Sequence, residues 1–409
     1  MKKWILTVFL IFLVLAVLLA VFLFLQPLLQ RAPSAPETDA TLPAPTQTEA
    51  DPEPTAPTEP DSPELARARE LLSDMTLYEK LCQLLVVTPD VITGVSPTQA
   101  ADDTARAALE QYPVGGFMFS QENIADRRQT IDMLAGFQEM SKIPMLLCID
   151  EEGGTVWRVM GNSKMGTSRI GSMYDYRDEG GQTAYRNAEI IAQEIAALGF
   201  NVDFAPVADV WSNPDNEVIG SRAYSDDFAQ AAELVPQAVR GFHAGGVACT
   251  LKHFPGHGCT VQDSHKGLAV VERTEQELRE EELLPFIAGI DAGADMVMIG
   301  HLQADALDPD DPATFSYAIV TELLRNELGF DGVVITDALG MGAVGNYSEA
   351  ERCKRALLAG CDILLGVTEP EQTLAALKDA VEAGELTEER IDESVLRILV
   401  LKISRGIIE

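Results

Sequence analysis

The chain has few positively charged residues. Its 409 residues include 30 Lys and Arg against 64 Asp and Glu, which gives a formal net charge of −34. A surface this acidic repels the phosphate groups of nucleic acids. The composition therefore excludes nucleic acid as a partner.

Cysteine and histidine are also scarce. The six Cys form no CxxC pair, and the chain contains no HExxH motif, which are spacings typical of zinc sites. The scattered Cys positions do not demand disulfides. We expect neither a metal nor a cofactor.

Charged residues are absent from one long stretch, residues 4–25. An apolar span of about 20 residues crosses the hydrocarbon core of a membrane as a helix. Lys2 and Lys3 precede the span, which predicts a cytoplasmic N-terminus and an extracytoplasmic remainder. We predict a cytoplasmic tip and a transmembrane anchor in residues 1–31. A cleaved signal peptide is the alternative, although its apolar core is usually shorter, about 7–15 residues.

Large apolar side chains are almost missing from residues 32–63, where Pro, Thr, Ala and acidic residues dominate. Such a composition cannot bury enough surface to fold, and its prolines favour an extended chain. We predict a disordered stalk that links the anchor to one large domain at residues 64–409. A domain of this length is common among α/β barrels.

Within that domain, a first amphipathic helix at about residues 64–84 is followed by eight short apolar runs that alternate with segments of helical periodicity. The runs lie at 83–88, 115–120, 144–150, 202–209, 247–254, 294–301, 331–338 and 361–367. Continuous apolar runs are typical of parallel strands buried on both faces. The pattern predicts an α/β fold, a single (β/α)8 TIM-type barrel. A doubly wound sheet is the alternative architecture, but no Gly-rich dinucleotide-binding loop follows the first run.

Most of these runs end in residues capable of chemistry: Asp150, Asp209, Lys252, His253, His301 and Asp337. In this type of barrel the C-terminal ends of the strands form one mouth, where active sites lie. Asp337 follows the sequence Val-Val-Ile-Thr at such an end. Its carboxylate is suited to act as a nucleophile, a base or a metal ligand, and capping of the next helix is the structural alternative.

The stretch "KHFPGHGCTVQDSH" at residues 252–265 holds three of the five His of the chain. In extended chain, Asp263 and His265 point to the same side, so Asp263 can accept a hydrogen bond from the imidazole of His265. That bond would fix the tautomer and raise the basicity of His265, and His is suited to proton transfer near neutral pH. We predict an acid/base pair.

Metal binding is the alternative for the same stretch. His253 and His257 are four residues apart, a spacing that brings two imidazoles together only on a helix. Pro255 and Gly256 disfavour a helix there. Another histidine, His243, lies on a helical pattern and is expected to be a packing residue.

Three acids, Asp150, Glu151 and Glu152, precede two glycines after the third run. Because an apolar strand leads into them and a turn follows, we expect at least one to face the barrel mouth. Arg222 lies on the loop after the fourth run, where a guanidinium can hold hydroxyl groups or an acid.

Together these motifs resemble glycoside hydrolase family 3, specifically its bacterial β-N-acetylglucosaminidases, over about residues 75–409. The matching stretches are "GGFMFS", "IDEEGGTVWR", "NVDFAPVADV", "IGSRAYSDD", "LKHFPGHGCTVQDSH", "MVMIGH" and "GVVITDALGM". The resemblance implies that Asp337 is the nucleophile of a covalent mechanism and that His265, paired with Asp263, is the acid/base. It also implies a set of residues that bind the sugar: Asp150, Arg158, Arg222, Lys252, His253 and His257.

Two positions depart from the family pattern. The residue after Glu-Gly-Gly is Thr155 rather than Arg, and Asp337 is followed by Ala-Leu-Gly-Met rather than Asp-Leu-Ser-Met. Both changes concern outer contacts to the sugar.

The resemblance implies a retaining exo-β-N-acetylglucosaminidase that acts on cell-wall glycan or its fragments. In the glucosidase branch of the family the acid is a Glu from a second domain. Here only two helical segments follow the eighth run before Glu409, so we expect the acid to come from the barrel itself. The alternatives are a β-glucosidase, β-xylosidase or glycoside phosphorylase of the same family, a catalytically silent sugar-binding barrel, and a metal-dependent barrel hydrolase.

Overall fold

The computed structural model describes residues 62–261, 267–345 and 347–409, which belong to one compact unit, Pro60–Glu409. The predicted anchor, nearly all of the predicted stalk, and the pair Asp263 and His265 lie outside the described residues. Among the helices in the described ranges, none has the length and apolar character that a membrane crossing requires.

Eight parallel strands form the main sheet in the order β10-β1-β2-β3-β4-β5-β7-β9. In chain order, the strands of the described residues are β1 (Leu85–Val87), β2 (Gly116–Met118), β3 (Leu146–Ile149), β4 (Val202–Asp203), β5 (Ala248–Phe254), β6 (Ala269–Val270), β7 (Met296–Ile299), β8 (Leu302–Gln303), β9 (Val333–Thr336) and β10 (Leu364–Leu365). Each of the eight predicted apolar runs contains one strand of the main sheet. Side chains along these strands are buried almost throughout, as expected for strands covered on both faces.

The first and last strands of the order meet and close the sheet into a barrel. Ile335 and Ile363 form a parallel bridge between β9 and the residues just before β10. The Thr336 N–H donates to the Ile363 carbonyl (3.0 Å), and the Ile363 N–H donates to the Val334 carbonyl (3.0 Å). Because an open sheet would leave both edges unpaired, the predicted barrel is confirmed and the doubly wound alternative is wrong.

The buried carboxylate of Asp362 ties this seam to the surrounding helices. It accepts hydrogen bonds from the Val334 N–H (2.9 Å) and the Ser394 hydroxyl (2.7 Å), and it pairs with Arg397 (3.1 Å) and Arg325. A buried carboxylate needs several such partners to offset its desolvation. The seam therefore depends on charges held at the amino-terminal end of the barrel.

Helices follow the strands in alternation. The α-helices of the described residues are Pro63–Ser73, Leu77–Gln83, Pro89–Thr93, Asp103–Gln111, Arg127–Met140, Gly181–Ala196, Phe228–Ala244, Glu275–Glu277, Leu284–Asp291, Glu349–Ala359, Pro370–Glu382 and Glu388–Ser404. Wider π-helical turns are Leu278–Glu282 and Ala318–Glu327, and 3₁₀ turns are Gln121–Asn123, Met173–Glu179, Gly220–Arg222, Ala313–Phe315 and Gly342–Val344. This alternation carries the chain from each strand to the next parallel one.

The predicted first helix at residues 64–84 is wrong in one respect, because the structure divides it in two. Thr76 begins the second helix with a capping box: its side chain accepts from the Glu79 N–H, and the Glu79 carboxylate accepts from the Thr76 N–H (2.9 Å). This reciprocal cap competes with continuation of the helix through residues 74–76. Because the apolar periodicity continues across the break, the sequence pattern did not reveal that there are two helices.

A second, two-stranded sheet pairs β6 with β8 in parallel. Its strands lie in the connections that follow β5 and β7, so it covers the same end of the barrel as the predicted functional residues. Strands of two residues carry no periodic pattern, which is why the sequence did not predict them.

Candidate active site

The carboxyl ends of the barrel strands open into a pocket of about 410 Å³. This volume lies within the usual range for small-molecule sites, about 300–1,000 Å³. Of the nine predicted site residues, seven line it: Asp150, Arg158, Arg222, Lys252, His253, His257 and Asp337. The other two, Asp263 and His265, lie outside the described residues, so their pairing stays a prediction.

Glu152 is the centre of the charge network beneath the pocket. The Arg222 guanidinium donates to both of its oxygens (2.8 Å each), and the Lys252 ammonium lies 2.5 Å from one of them. Burial by itself raises the pKa of Glu152, but Arg222 and Lys252 outweigh it and hold that pKa at about 2. Lys252 is likewise buried, which lowers its pKa, but the carboxylates of Asp150 and Glu152 raise it overall. All three groups are therefore charged at neutral pH.

Asp150 connects this network to the open side of the pocket. It accepts from the Lys252 ammonium (2.8 Å) and from the Arg158 guanidinium (3.2 Å). Unlike Glu152, whose side chain is 1% exposed, the Asp150 side chain is 19% exposed. Its oxygens can therefore still accept hydrogen bonds from a bound ligand.

The third acid after β3, Glu151, has a different role. Its carboxylate accepts from three consecutive backbone N–H groups, those of Arg158 (2.7 Å), Val159 (2.8 Å) and Met160 (2.8 Å). The expectation that at least one of the three acids faces the mouth is correct for Asp150 and Glu152. Glu151 instead fixes the loop that carries Arg158 into the pocket.

Asp203 lies behind Glu151 and shows the opposite electrostatics to Glu152. One of its oxygens accepts from the Glu151 N–H (2.9 Å), and the other has no hydrogen-bond partner among the described residues. Burial raises the pKa of Asp203 well above its usual range, and the Lys252 ammonium lowers it too little to offset this. Asp203 therefore supports the loop through its hydrogen bond with the Glu151 N–H.

Asp209 holds the two histidines of the β5 segment. It is 1% exposed, it accepts from the backbone N–H groups of His253 (3.0 Å) and His257 (2.7 Å), and it lies 2.7 Å from Nδ1 of His253. His257 also contacts the Thr260 hydroxyl through Nδ1 (2.8 Å), and burial lowers the pKa of its imidazole. The sequence marked Asp209 as a strand-end residue but did not predict this positioning role. The adjacency of β4 and β5 was the signal available for it.

Asp337 extends the β9 ladder and then turns its side chain to the pocket. Its N–H donates to the Ile299 carbonyl (2.9 Å), and its Oδ1 accepts from the N–H of Ala338, the next residue (2.7 Å). Met341 and Ser348 precede the next two helical segments, so Asp337 caps neither and the capping alternative is wrong.

The charge of Asp337 is set by its surroundings. Burial by itself raises the pKa of Asp337, but the imidazoles of His253 and His301 and the Lys252 ammonium outweigh it and hold that pKa below its usual range. The carboxylate is therefore ionised at neutral pH.

His301 positions the segment that follows Asp337. It is fully buried, with Nδ1 2.7 Å from the Thr314 hydroxyl and Nε2 3.0 Å from the Ala338 carbonyl, and burial lowers its pKa. The sequence placed His301 at a strand end without assigning it a role.

One group of potential metal ligands is present in the described residues, at the opposite end of the barrel from the pocket. His243 Nε2 lies 2.9 Å from Asp295 Oδ2 and 3.6 Å from Cys249 Sγ. The Arg405 guanidinium contacts both Asp295 (2.6 Å) and His243 (2.6 Å). A cation in contact with two of the ligands disfavours a metal there, and His243 packs within this polar cluster.

An ionised carboxylate, buried cations and histidines at the carboxyl end of a parallel eight-stranded barrel define a barrel enzyme for a small polar substrate. Residues 76–401 match the model of the glycosyl hydrolase family 3 N terminal domain. The chain belongs to this family of glycoside hydrolases, and the resemblance noted from its motifs is confirmed.

Named relatives agree with this assignment. Beta-hexosaminidase A of Pseudoalteromonas piscicida is 37% identical over 324 residues, which span 72% of this chain but only 54% of the relative. Beta-hexosaminidase of Xylella fastidiosa strain M23 is 40% identical over 273 residues, 66% of this chain and 80% of the relative. The chain therefore spans about half of one relative's length and four fifths of the other's.

A solved structure is similar over most of the chain. The glycoside hydrolase family 3 beta-N-acetylglucosaminidase from Paenibacillus sp. str. FPU-7 has a TM-score of 0.76 and 39% sequence identity. The match covers 81% of this chain and 63% of that one.

The charge network predicts how Glu152→Gln behaves. The variant removes the carboxylate that pairs with two buried cations. Its free energy of unfolding, measured in urea at pH 7, should therefore be lower by about 3 kcal/mol. The folded-state pKa of Glu152, about 2, is below its unfolded value. Its stabilising contribution is therefore present above the unfolded pKa and is lost as pH falls toward 2. The difference between wild type and variant should shrink accordingly between pH 5 and pH 2.

Glu139→Gln, at an exposed position of the helix Arg127–Met140, removes the same charge and is the matched control. It should change the free energy of unfolding by less than about 0.5 kcal/mol. Equal effects of the two variants, or a difference that stays constant with pH, would contradict the role of Glu152.

Proposed function

We propose that the protein is a retaining exo-β-N-acetylglucosaminidase that removes terminal β-linked N-acetylglucosamine from cell-wall glycan or its fragments. The observation that carries the proposal is the Asp337 carboxylate, which lines the pocket and caps neither of the next two helical segments. The neighbouring imidazoles and the Lys252 ammonium hold its pKa below the usual range. The relatives named beta-hexosaminidase support the choice of sugar.

In the proposed mechanism Asp337 attacks the anomeric carbon of the terminal sugar. The bond to the leaving-group oxygen breaks as that oxygen takes a proton from His265, and a covalent glycosyl-enzyme ester forms. A water molecule then attacks the anomeric carbon and loses its proton to His265, so that the sugar and the Asp337 carboxylate are released. Asp263 would orient His265 through the hydrogen bond predicted from their spacing.

The buried network would hold the sugar during these steps. Asp150 offers acceptors to hydroxyl groups, and the Lys252 ammonium beside it offers donors. Arg158, Arg222 and His257 complete the polar lining. Because ion pairs already fix most of these groups, the pocket needs little reorganisation when the charge of the transition state develops.

Three alternatives predict different behaviour. A silent sugar-binding barrel would bind aryl glycosides without releasing the aryl group. A phosphorylase would require inorganic phosphate in place of water, and a metal-dependent hydrolase would lose activity in chelator. Turnover in phosphate-free buffer with chelator would argue against both.

The sugar is tested with a panel of aryl β-glycosides. A pocket that hydrogen-bonds an acetamido group has unpaired polar atoms when glucose binds, at about 1–3 kcal/mol per lost partner. We therefore expect kcat/KM on the aryl N-acetyl-β-glucosaminide to exceed that on the β-glucoside at least about tenfold. A preference for the glucoside or the xyloside would overturn the sugar but leave the Asp337 mechanism in place.

The mechanism is tested with two variants. Asp337→Asn keeps the shape of the side chain but removes the nucleophile, and it should abolish turnover of every substrate. His265→Ala should slow substrates with poor leaving groups about 10²–10⁴-fold and activated aryl glycosides much less, because only a poor leaving group needs a proton. Equal losses on both types of substrate would mean that His265 binds the sugar rather than transfers protons.

We also propose that residues 1–31 anchor the protein in the cell membrane with the barrel on its outer side. The support is the uncharged run at residues 4–25 and the two preceding Lys. The full-length protein should fractionate with membranes, and protease added outside should cut first within residues 32–63. Recovery of a soluble form that begins near Ala32 would indicate a cleaved signal instead.

A further inference from the structure

A second cavity adjoins the pocket. It has a volume of about 440 Å³, close to the 410 Å³ of the pocket, and it is formed by the long loop after β3. Thr155 and Trp157 line both spaces and so form a shared wall. The wall lies directly before Arg158, whose guanidinium contacts Asp150 in the pocket. A ligand that extends from the pocket across this wall enters the second cavity.

The indole of Trp157 packs against the backbone of its own loop. Its six-membered ring packs against Gly161, where an added Cβ would lie only 1.8 Å from the ring. The Trp157 carbonyl accepts from the Gln121 side chain (2.9 Å) and from the Arg158 guanidinium (3.2 Å). Both the ring and the backbone of Trp157 are therefore fixed before a ligand binds.

The rest of the cavity is also preformed. The Gly154 N–H donates to the Ile170 carbonyl (3.0 Å), and a Cβ at Gly154 would lie 2.6 Å from the Ser172 hydroxyl, so the two sides of the loop approach closely. Glu151 fixes residues 158–160 through its three backbone hydrogen bonds. Because these walls are already ordered, little conformational entropy is lost in them when a ligand binds.

The lining combines one aromatic ring with polar groups. Trp157, Met160 and Ile170 supply apolar surface, whereas Ser172, Arg169 and Asp175 supply hydrogen-bonding groups. A pyranose has the matching chemistry, because C–H bonds cover its faces and hydroxyl groups surround its edge. A fixed indole offers such a face a large contact area without loss of side-chain freedom.

We propose that this cavity binds the leaving-group sugar, with Trp157 as the platform on which its ring packs. This assignment rests on the proposed function, and it specifies the substrate as a disaccharide or longer glycan rather than a glycoside of a small alcohol. Thr155 and Trp157 then lie beside the glycosidic bond, between the sugar in the pocket and the sugar that departs.

Binding to the inactive Asp337→Asn protein tests the assignment without turnover. Calorimetry would compare N-acetylglucosamine with its β-1,4-linked disaccharide, and glucose with cellobiose. We expect the disaccharide of the accepted sugar to bind at least about tenfold more tightly than its monosaccharide. Adding Trp157→Ala should reduce this ratio to about twofold or less, whereas Trp157→Phe should retain most of it.

Two further variants separate the platform from general folding effects. Gly161→Ala displaces the ring without removing it and should also lower the ratio. Trp211→Phe changes a tryptophan that lines neither cavity and should keep the ratio. The assignment would be overturned by equal binding of monosaccharide and disaccharide, or by a ratio that Trp157→Ala leaves intact.

Kinetics of the enzyme with Asp337 restored distinguish this inference from the proposed function. On the disaccharide, Trp157→Ala should lose at least about tenfold more kcat/KM than on the methyl β-glycoside, whose leaving group cannot reach the platform. If the wild type cleaved neither substrate but the Trp157-dependent binding ratio were observed, the proposed activity would fail and the sugar site would stand. If kcat/KM were tenfold higher on cellobiose than on the disaccharide of N-acetylglucosamine, only the proposed identity of the sugar would change.

Discussion

The active site depends on the ion pairs between Glu152, Arg222 and Lys252. These residues come from the ends of β3 and β5 and from the loop after β4, so the ion pairs join three neighbouring strand ends at the mouth of the barrel. Burial of charge is costly, and each of the three groups is tolerated only because the others are present. In return, the cations stay charged and fixed in position. Asp150 and Asp337 acquire their setting from this network.

Carboxylates of similar chemistry have pKa values shifted in opposite directions here because their neighbours differ. The cations beside Glu152 outweigh burial and lower its pKa, and the imidazoles and Lys252 ammonium beside Asp337 do the same there. At Asp203, by contrast, burial raises the pKa well above its usual range. The carboxylates of Asp209 and Glu151 accept hydrogen bonds from backbone N–H groups and so fix the loops that carry the pocket residues. Most of the acids near the site therefore position other groups, whereas Asp337 is the acid proposed to attack the substrate.

The loop after β3 connects the chemistry with the choice of substrate. One side of it carries Arg158 into the pocket, and the other side forms the second cavity with Trp157 between the two. Because Glu151 fixes this loop from within the barrel, the position of the proposed leaving-group site is coupled to that of the sugar pocket. A change in the loop would alter both together.

Much of this organisation was predictable from the sequence. Eight continuous apolar runs specify parallel strands buried on both faces, and the carboxyl ends of such strands converge, so residues as distant as Asp150 and Asp337 were expected in one pocket. The sequence could not rank Glu151 and Glu152, since two adjacent acids differ only in the direction that the folded loop gives them. The packing of Trp157 on Gly161 likewise exists only after the loop closes. Local patterns determine which segments become strands, but partners distant in the chain decide each side chain's charge and direction.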